Sequence, residues 1–115
     1  MIYLAGITKN DRQEMITFIK EVIDQSGGWI SNFTLFSNIS IGVDFVIPAG
    51  NSLRLLAALE SGGLQLNESG RRDIETQANL QDQSPDTGSE VTVRMNVTFV
   101  HDDPDLRIPI PAIPG

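Results

Sequence analysis

An α+β sandwich, with helices covering one face of an antiparallel sheet, is the fold class this sequence predicts. Three observations predict it. From residue 39 to 47 the odd positions are Ile39, Ile41, Val43, Phe45 and Ile47, while Ser40, Gly42, Asp44 and Val46 fill the even ones. That is the two-residue period of a strand with one buried face. Earlier in the chain Met15, Ile16, Ile19, Val22 and Ile23 recur at helical spacing, with Phe18 widening the stripe. Finally, the segments succeed one another as strand, helix, strand, hairpin, strand, helix, strand, the order of a split βαβ, or ferredoxin-like, βαββαβ unit.

Each element has a local cause. Ile2-Tyr3-Leu4-Ala5-Gly6-Ile7 is apolar on both faces apart from the Tyr hydroxyl, which predicts a central strand. Its early start argues against a cleaved leader. Asn10 or Asp11 can cap the helix that follows, with Gln13 or Glu14 three residues on for a capping box. Ser26-Gly27-Gly28 stops that helix, because Gly accepts the left-handed conformation cheaply. The second strand runs from Trp29 to Phe36 and the third from Ile39 to Ile47, with Ser37-Asn38 as the hairpin turn. A slip of one residue would turn every apolar side chain outward, so this register is firmly specified. After Pro48-Ala49-Gly50, Asn51 or Ser52 can cap a second helix carrying Leu53, Leu56, Ala57 and Leu59. Gly62-Gly63 ends it, and Leu64-Gln65-Leu66 is a short extended piece.

The composition then shifts. Residues 1–67 read as the core, 68–89 as a polar linker or hairpin arm, and 90–115 as a C-terminal strand with a Pro-rich tail. Ile74, Thr76, Ala78 and Leu80 alternate weakly, although Ile74 and Ala78 also stand at helical spacing. Ser84-Pro85-Asp86-Thr87-Gly88 is a turn signal. Val91, Val93, Met95, Val97 and Phe99 alternate with Thr92, Arg94, Asn96 and Thr98, the second-clearest strand. Together these runs predict a C-terminal β-hairpin extension. The prolines at 109, 111 and 114 exclude an interior strand at the end of the chain and predict an extended tail laid over an apolar groove. Within the opening hairpin, Phe36 and Val46 point away from the helix-covered face, where a second subunit or the C-terminal segment is expected to pack.

Composition narrows the function classes. At 115 residues the chain fits one domain. It has no cysteine, which excludes disulfides and thiolate metal sites. No apolar run of about 18 residues occurs, so the chain reads as soluble and cytoplasmic, without a membrane span. A net charge of −7, from 15 acidic and 8 basic residues, repels phosphate backbones and argues against nucleic acid. The four Asn-X-Ser/Thr triplets, at Asn32, Asn38, Asn67 and Asn96, read as chance in a chain rich in these residues.

No nucleophile constellation or Gly-rich phosphate loop is present, so the chain is not expected to be an enzyme or to carry a cofactor. His101, Asp102, Asp103 and Asp105 gather metal-ligand residue types, but their spacing matches neither an EF-hand nor a zinc site, and they read as an acidic turn. The best candidate for binding is the first strand-to-helix junction. There Thr8, Lys9, Asn10, Asp11 and Arg12 combine free helix N-terminal amides with two cations, a setting suited to a carboxylate.

Residues 1 to about 67 resemble the ACT domain family of small-molecule-sensing modules. The similarity rests on the apolar first strand, Gly6-Ile7-Thr8-Lys9-Asn10-Asp11-Arg12, the helix, and Ser26-Gly27-Gly28-Trp29-Ile30. Asp11-Arg12 is similar to the family's acid-Arg pair at the helix entry; many ACT sequences continue with Pro-Gly, where this chain has Gln13-Glu14. The resemblance implies a homo-oligomer, a dimer, binding an amino acid or similar anionic metabolite at its interface near that loop. The alternative is an assembly module that docks a partner with its C-terminal hairpin and Pro-rich tail.

Overall fold

Five strands form one mixed sheet in the order β2-β3-β5-β1-β4. In chain order the elements are β1 (Ile2–Thr8), α1 (Arg12–Gln25), β2 (Trp29–Ser37), β3 (Ser40–Pro48), a 3-10 turn (Ala49–Asn51), α2 (Ser52–Ser61), β4 (Gln65–Leu66), α3 (Glu68–Gln83) and β5 (Glu90–Phe99). The computed structural model describes residues 1–83 and 89–100. The turn at 84–88, the acidic group His101, Asp102, Asp103 and Asp105, and the Pro-rich tail lie outside the described residues. The α+β class stands, and no described helix is long and apolar enough to cross a membrane.

Both glycine pairs end their helices as expected, through the same hydrogen-bond pattern. Gly27 has φ +82; its N–H donates to the Asp24 carbonyl, and that of Gly28 donates to Ile23. Gly63 has φ +107; its N–H donates to Glu60, and that of Leu64 donates to Leu59. These are Schellman closures, which satisfy carbonyls the helix leaves open. At the start of α1 the Asp11 carboxylate accepts from the Glu14 amide at 3.1 Å, so Asp11 and not Asn10 is the cap. The start of α2 differs from expectation. Neither Asn51 nor Ser52 caps it: the Asn51 amide donates to the Ser26 carbonyl at 2.8 Å, and the Ser52 hydroxyl to Ala49 at 2.7 Å. Asn51 thereby ties the end of α1 to the start of α2. The 3-10 turn before α2 rotates its buried face to Leu55, Leu56 and Leu59, leaving Leu53 and Ala57 exposed.

The chain after Asn67 departs most from the sequence reading. Residues 68–83 are a helix instead of a linker or hairpin arm. Gly70, Ile74 and Ala78 are its buried stripe among the described residues, while Thr76, which completed the apparent alternation, is exposed and donates its hydroxyl to the Arg72 carbonyl. Ion pairs of Arg72 with Glu68 and Arg71 with Glu75 at i,i+4 spacing support the exposed side, and Arg71 also reaches Glu60 of α2 at 3.0 Å. So narrow a stripe needs few apolar residues, which is why the composition looked like a linker.

Nor is there a C-terminal hairpin extension. β5 lies in the middle of the sheet, parallel to β1 over Ile2↔Val93 to Thr8↔Phe99 and antiparallel to β3 over Ser40↔Thr98 to Pro48↔Glu90. In a four-stranded ferredoxin-like sheet the first and third strands adjoin; here β5 separates them. Central placement gives this apolar strand hydrogen-bonded neighbours on both sides, and Val91, Val93, Met95, Val97 and Phe99 are buried. β5 is thus a central strand of the sheet and not the arm of a C-terminal hairpin.

Helices α1, α2 and α3 cover one face, where Ile41, Val43, Phe45 and Ile47 of β3 meet Ile19, Leu55 and Ile74. Ile39 is the exception to the alternation: with Asn38 it forms the hairpin loop, where its N–H donates to the Ser37 hydroxyl. Among the described residues nothing covers the other face, so β1 is interior within the sheet but covered on one side, and Tyr3, Ala5 and Ile7 are exposed. At its centre Arg94 forks onto Asp44, Nε to Oδ1 at 3.0 Å and a terminal nitrogen to Oδ2 at 3.2 Å. The hydrogen bond to Asp44 and its charge raise the Arg94 pKa above its ordinary value. With the Arg94 side chain exposed to water, such a pair contributes modestly to stability; its effect is to make the centre of this face polar.

Candidate functional site

Because β4 pairs antiparallel with β1 (Gly6↔Leu66, Ile7↔Gln65), the turn that ends α2 lies beside the loop that begins α1. On the other side of β1, β5 brings its last residues to the same place: the Val100 N–H donates to the Thr8 carbonyl at 2.8 Å. Between them is a cavity of about 380 Å³ lined by Ile7, Thr8, Lys9, Asn10, Gly63, Gln65 and Val100. The volume falls within the range of small-molecule sites.

Two interactions give the cavity fixed walls. The Thr8 hydroxyl, buried, accepts from the Asn10 amide at 3.1 Å, which closes the β1–α1 loop on itself. The Asn10 side chain crosses to the facing turn and donates to the Gly62 carbonyl at 2.8 Å. Gly63 is required there twice over. Its φ is in the left-handed region, and a Cβ would collide with the Asn10 side-chain amide. Gly63→Ala is therefore expected to cost about 1–3 kcal/mol of stability from backbone strain alone. Denaturant unfolding of the variant measures this, and an unchanged midpoint would show that the turn is not as described.

Of the five residues singled out from the sequence, the structure brings three together on the cavity wall: Thr8, Lys9 and Asn10. Asp11 and Arg12 do not line it. The carboxylate of Asp11 is occupied as the α1 cap. Arg12 opens α1 half-buried, and its Nε is buried with no hydrogen-bond partner among the described residues. Sequence reasoning missed Gly63, Gln65 and Val100 as lining residues. Pairing the short piece Leu64-Gln65-Leu66 with the first strand would have placed Gly63 and Gln65; Val100 follows only from the central position of β5. Chemically the cavity offers a hydroxyl, a carboxamide and one ammonium group beside apolar Ile7 and Val100, a setting for binding a small polar ligand. Among the described residues no group of three or more His, Cys, Asp or Glu side chains is arranged to hold a metal ion.

In comparisons with known proteins, no family model matches this chain, and no curated protein or solved structure matches it.

Proposed function

We propose that this chain is a small regulatory or ligand-binding domain, acting without catalysis, which holds a small anionic metabolite of the amino-acid class in the β1–α1 cavity. The observation that carries this reading is the convergence of Thr8, Lys9 and Asn10 on a cavity of ligand size. Lys9 supplies positive charge in a chain of net charge −7. Ile7 and Val100 suit the aliphatic part of such a molecule. The resemblance of residues 1 to about 67 to ACT modules points in the same direction.

A thermal-shift screen of amino acids and short carboxylic acids tests it. A ligand present at 100 times its dissociation constant stabilises the folded state by about 2.7 kcal/mol, a plain upward shift. Lys9→Ala is expected to remove that shift while leaving the unliganded protein folded. If no compound in the screen shifts the unmodified protein, the sensor reading fails.

A further inference from the structure

We propose that two copies of this chain join through the outer edge of β2 to form one continuous sheet across a two-fold axis. The inference goes beyond the ligand reading and does not depend on it. The two edges of the sheet are built differently. At one, β4 is only two residues long, and Asn67 and α3 pack along the rest of β1, with Asn67 exchanging hydrogen bonds with the Ala5 backbone. At the other, β2 is nine residues long and, among the described residues, has no neighbour on its outer side. Long free edges template pairing with further strands, and soluble proteins guard them with lysine, proline or a covering element. β2 carries no lysine or proline, no element covers it among the described residues, and its two register irregularities leave Asn32–Leu35 regular between them. Its sequence, Trp-Ile-Ser-Asn-Phe-Thr-Leu-Phe-Ser, lacks any charge, and it leaves Trp29, Leu35 and Phe36 exposed at 50%, 56% and 61%.

Charge selects a second copy as the occupant. Each chain carries −7, so two copies repel wherever acidic surface meets acidic surface. From Gln25 to Val43 no charged residue occurs at all. Above this edge a groove of about 220 Å³ between α1 and β2 is bordered by Lys20 and Asp24, one charge of each sign, and Lys20 lies 5.2 Å over the Phe33 ring. Two identical chains can therefore meet here without net repulsion. The open sheet face is a poorer meeting place, because the Asp44–Arg94 pair, Asn96 and Thr98 keep its centre polar. Register irregularities fall between Ile30 and Asn32 and between Leu35 and Ser37, so regular pairing is confined to Asn32–Leu35. A two-fold axis through that segment makes the contact self-complementary and closed, and it carries the exposed Trp29 of each chain toward the hairpin tip of the other.

The test is the molar mass of the full chain by light scattering across a dilution series, for the unmodified protein and three variants. The unmodified chain is expected to reach dimer mass. Thr34→Lys, which sets two like charges beside the axis, is expected to raise the dimer dissociation constant at least about tenfold, or about 1.4 kcal/mol. Mixing Thr34→Lys with Thr34→Glu chains is expected to restore dimer mass, which a misfolded variant could not do. Thr98→Lys, on the open face, is expected to leave the mass unchanged. Monomer mass for the unmodified chain at every concentration would overturn the proposal. So would a dimer that survives Thr34→Lys, or one that Thr98→Lys breaks.

Discussion

A chain shortened to end at Ser89 is expected not to fold. β5 is flanked by β1 on one side and β3 on the other, so its removal leaves both with an open ladder and separates β1 and β4 from the β2–β3 hairpin. It also removes Val91, Val93, Met95, Val97 and Phe99 from the core. Burying one such side chain stabilises by about 1.5–3 kcal/mol, so five amount to roughly 10 kcal/mol. That equals the whole stability of an ordinary domain, about 5–15 kcal/mol. Far-UV circular dichroism and the dispersion of amide resonances read the outcome. A shortened chain that still unfolded cooperatively would mean that residues 1–67 form a self-sufficient core, as the sequence alone suggests.

Phe45→Ala is expected to cost about 3–5 kcal/mol, the range for emptying a fully buried aromatic position. Phe45 has no exposed surface, pairs with Ile30 on β2 and Val93 on β5, and lies beneath the helices. Denaturant unfolding should show a lower midpoint with the same slope, since the surface exposed on unfolding is nearly unchanged. A loss below about 1 kcal/mol would place Phe45 outside the core.

The part of the fold legible in the sequence is the part determined by near neighbours. The alternation of Ile41, Val43, Phe45 and Ile47, the apolar stripe of α1, the Asp11 cap and the two glycine stops depend on residues a few positions apart, and all appear as expected. What was not legible depends on distant pairing. The pattern of Val91 to Phe99 announces a strand with one buried face, but nothing in it says which strands flank it. Helix α3 was obscured for a different reason: among its described side chains the buried apolar ones are Ile74 and Ala78, with Thr76 between them, and so narrow a helical stripe and a weak strand look alike. The site divides in the same way. Thr8, Lys9 and Asn10 follow one another at a strand-to-helix junction and are visible locally. Gly63 and Val100 reach the cavity only because β4 and β5 pair with β1. Asp11 and Arg12, adjacent in sequence, turn away from it because the helix begins there.

The claim that the β1–α1 cavity is the binding site is tested most directly by titrating the full chain with a compound that shifts its melting temperature, while following each backbone amide by two-dimensional NMR. The account predicts saturable shifts concentrated at Thr8, Lys9, Asn10, Gly63, Gln65 and Val100, with amides of the β2 edge unmoved. Shifts centred on any other surface, with these six amides unchanged at saturation, would contradict it.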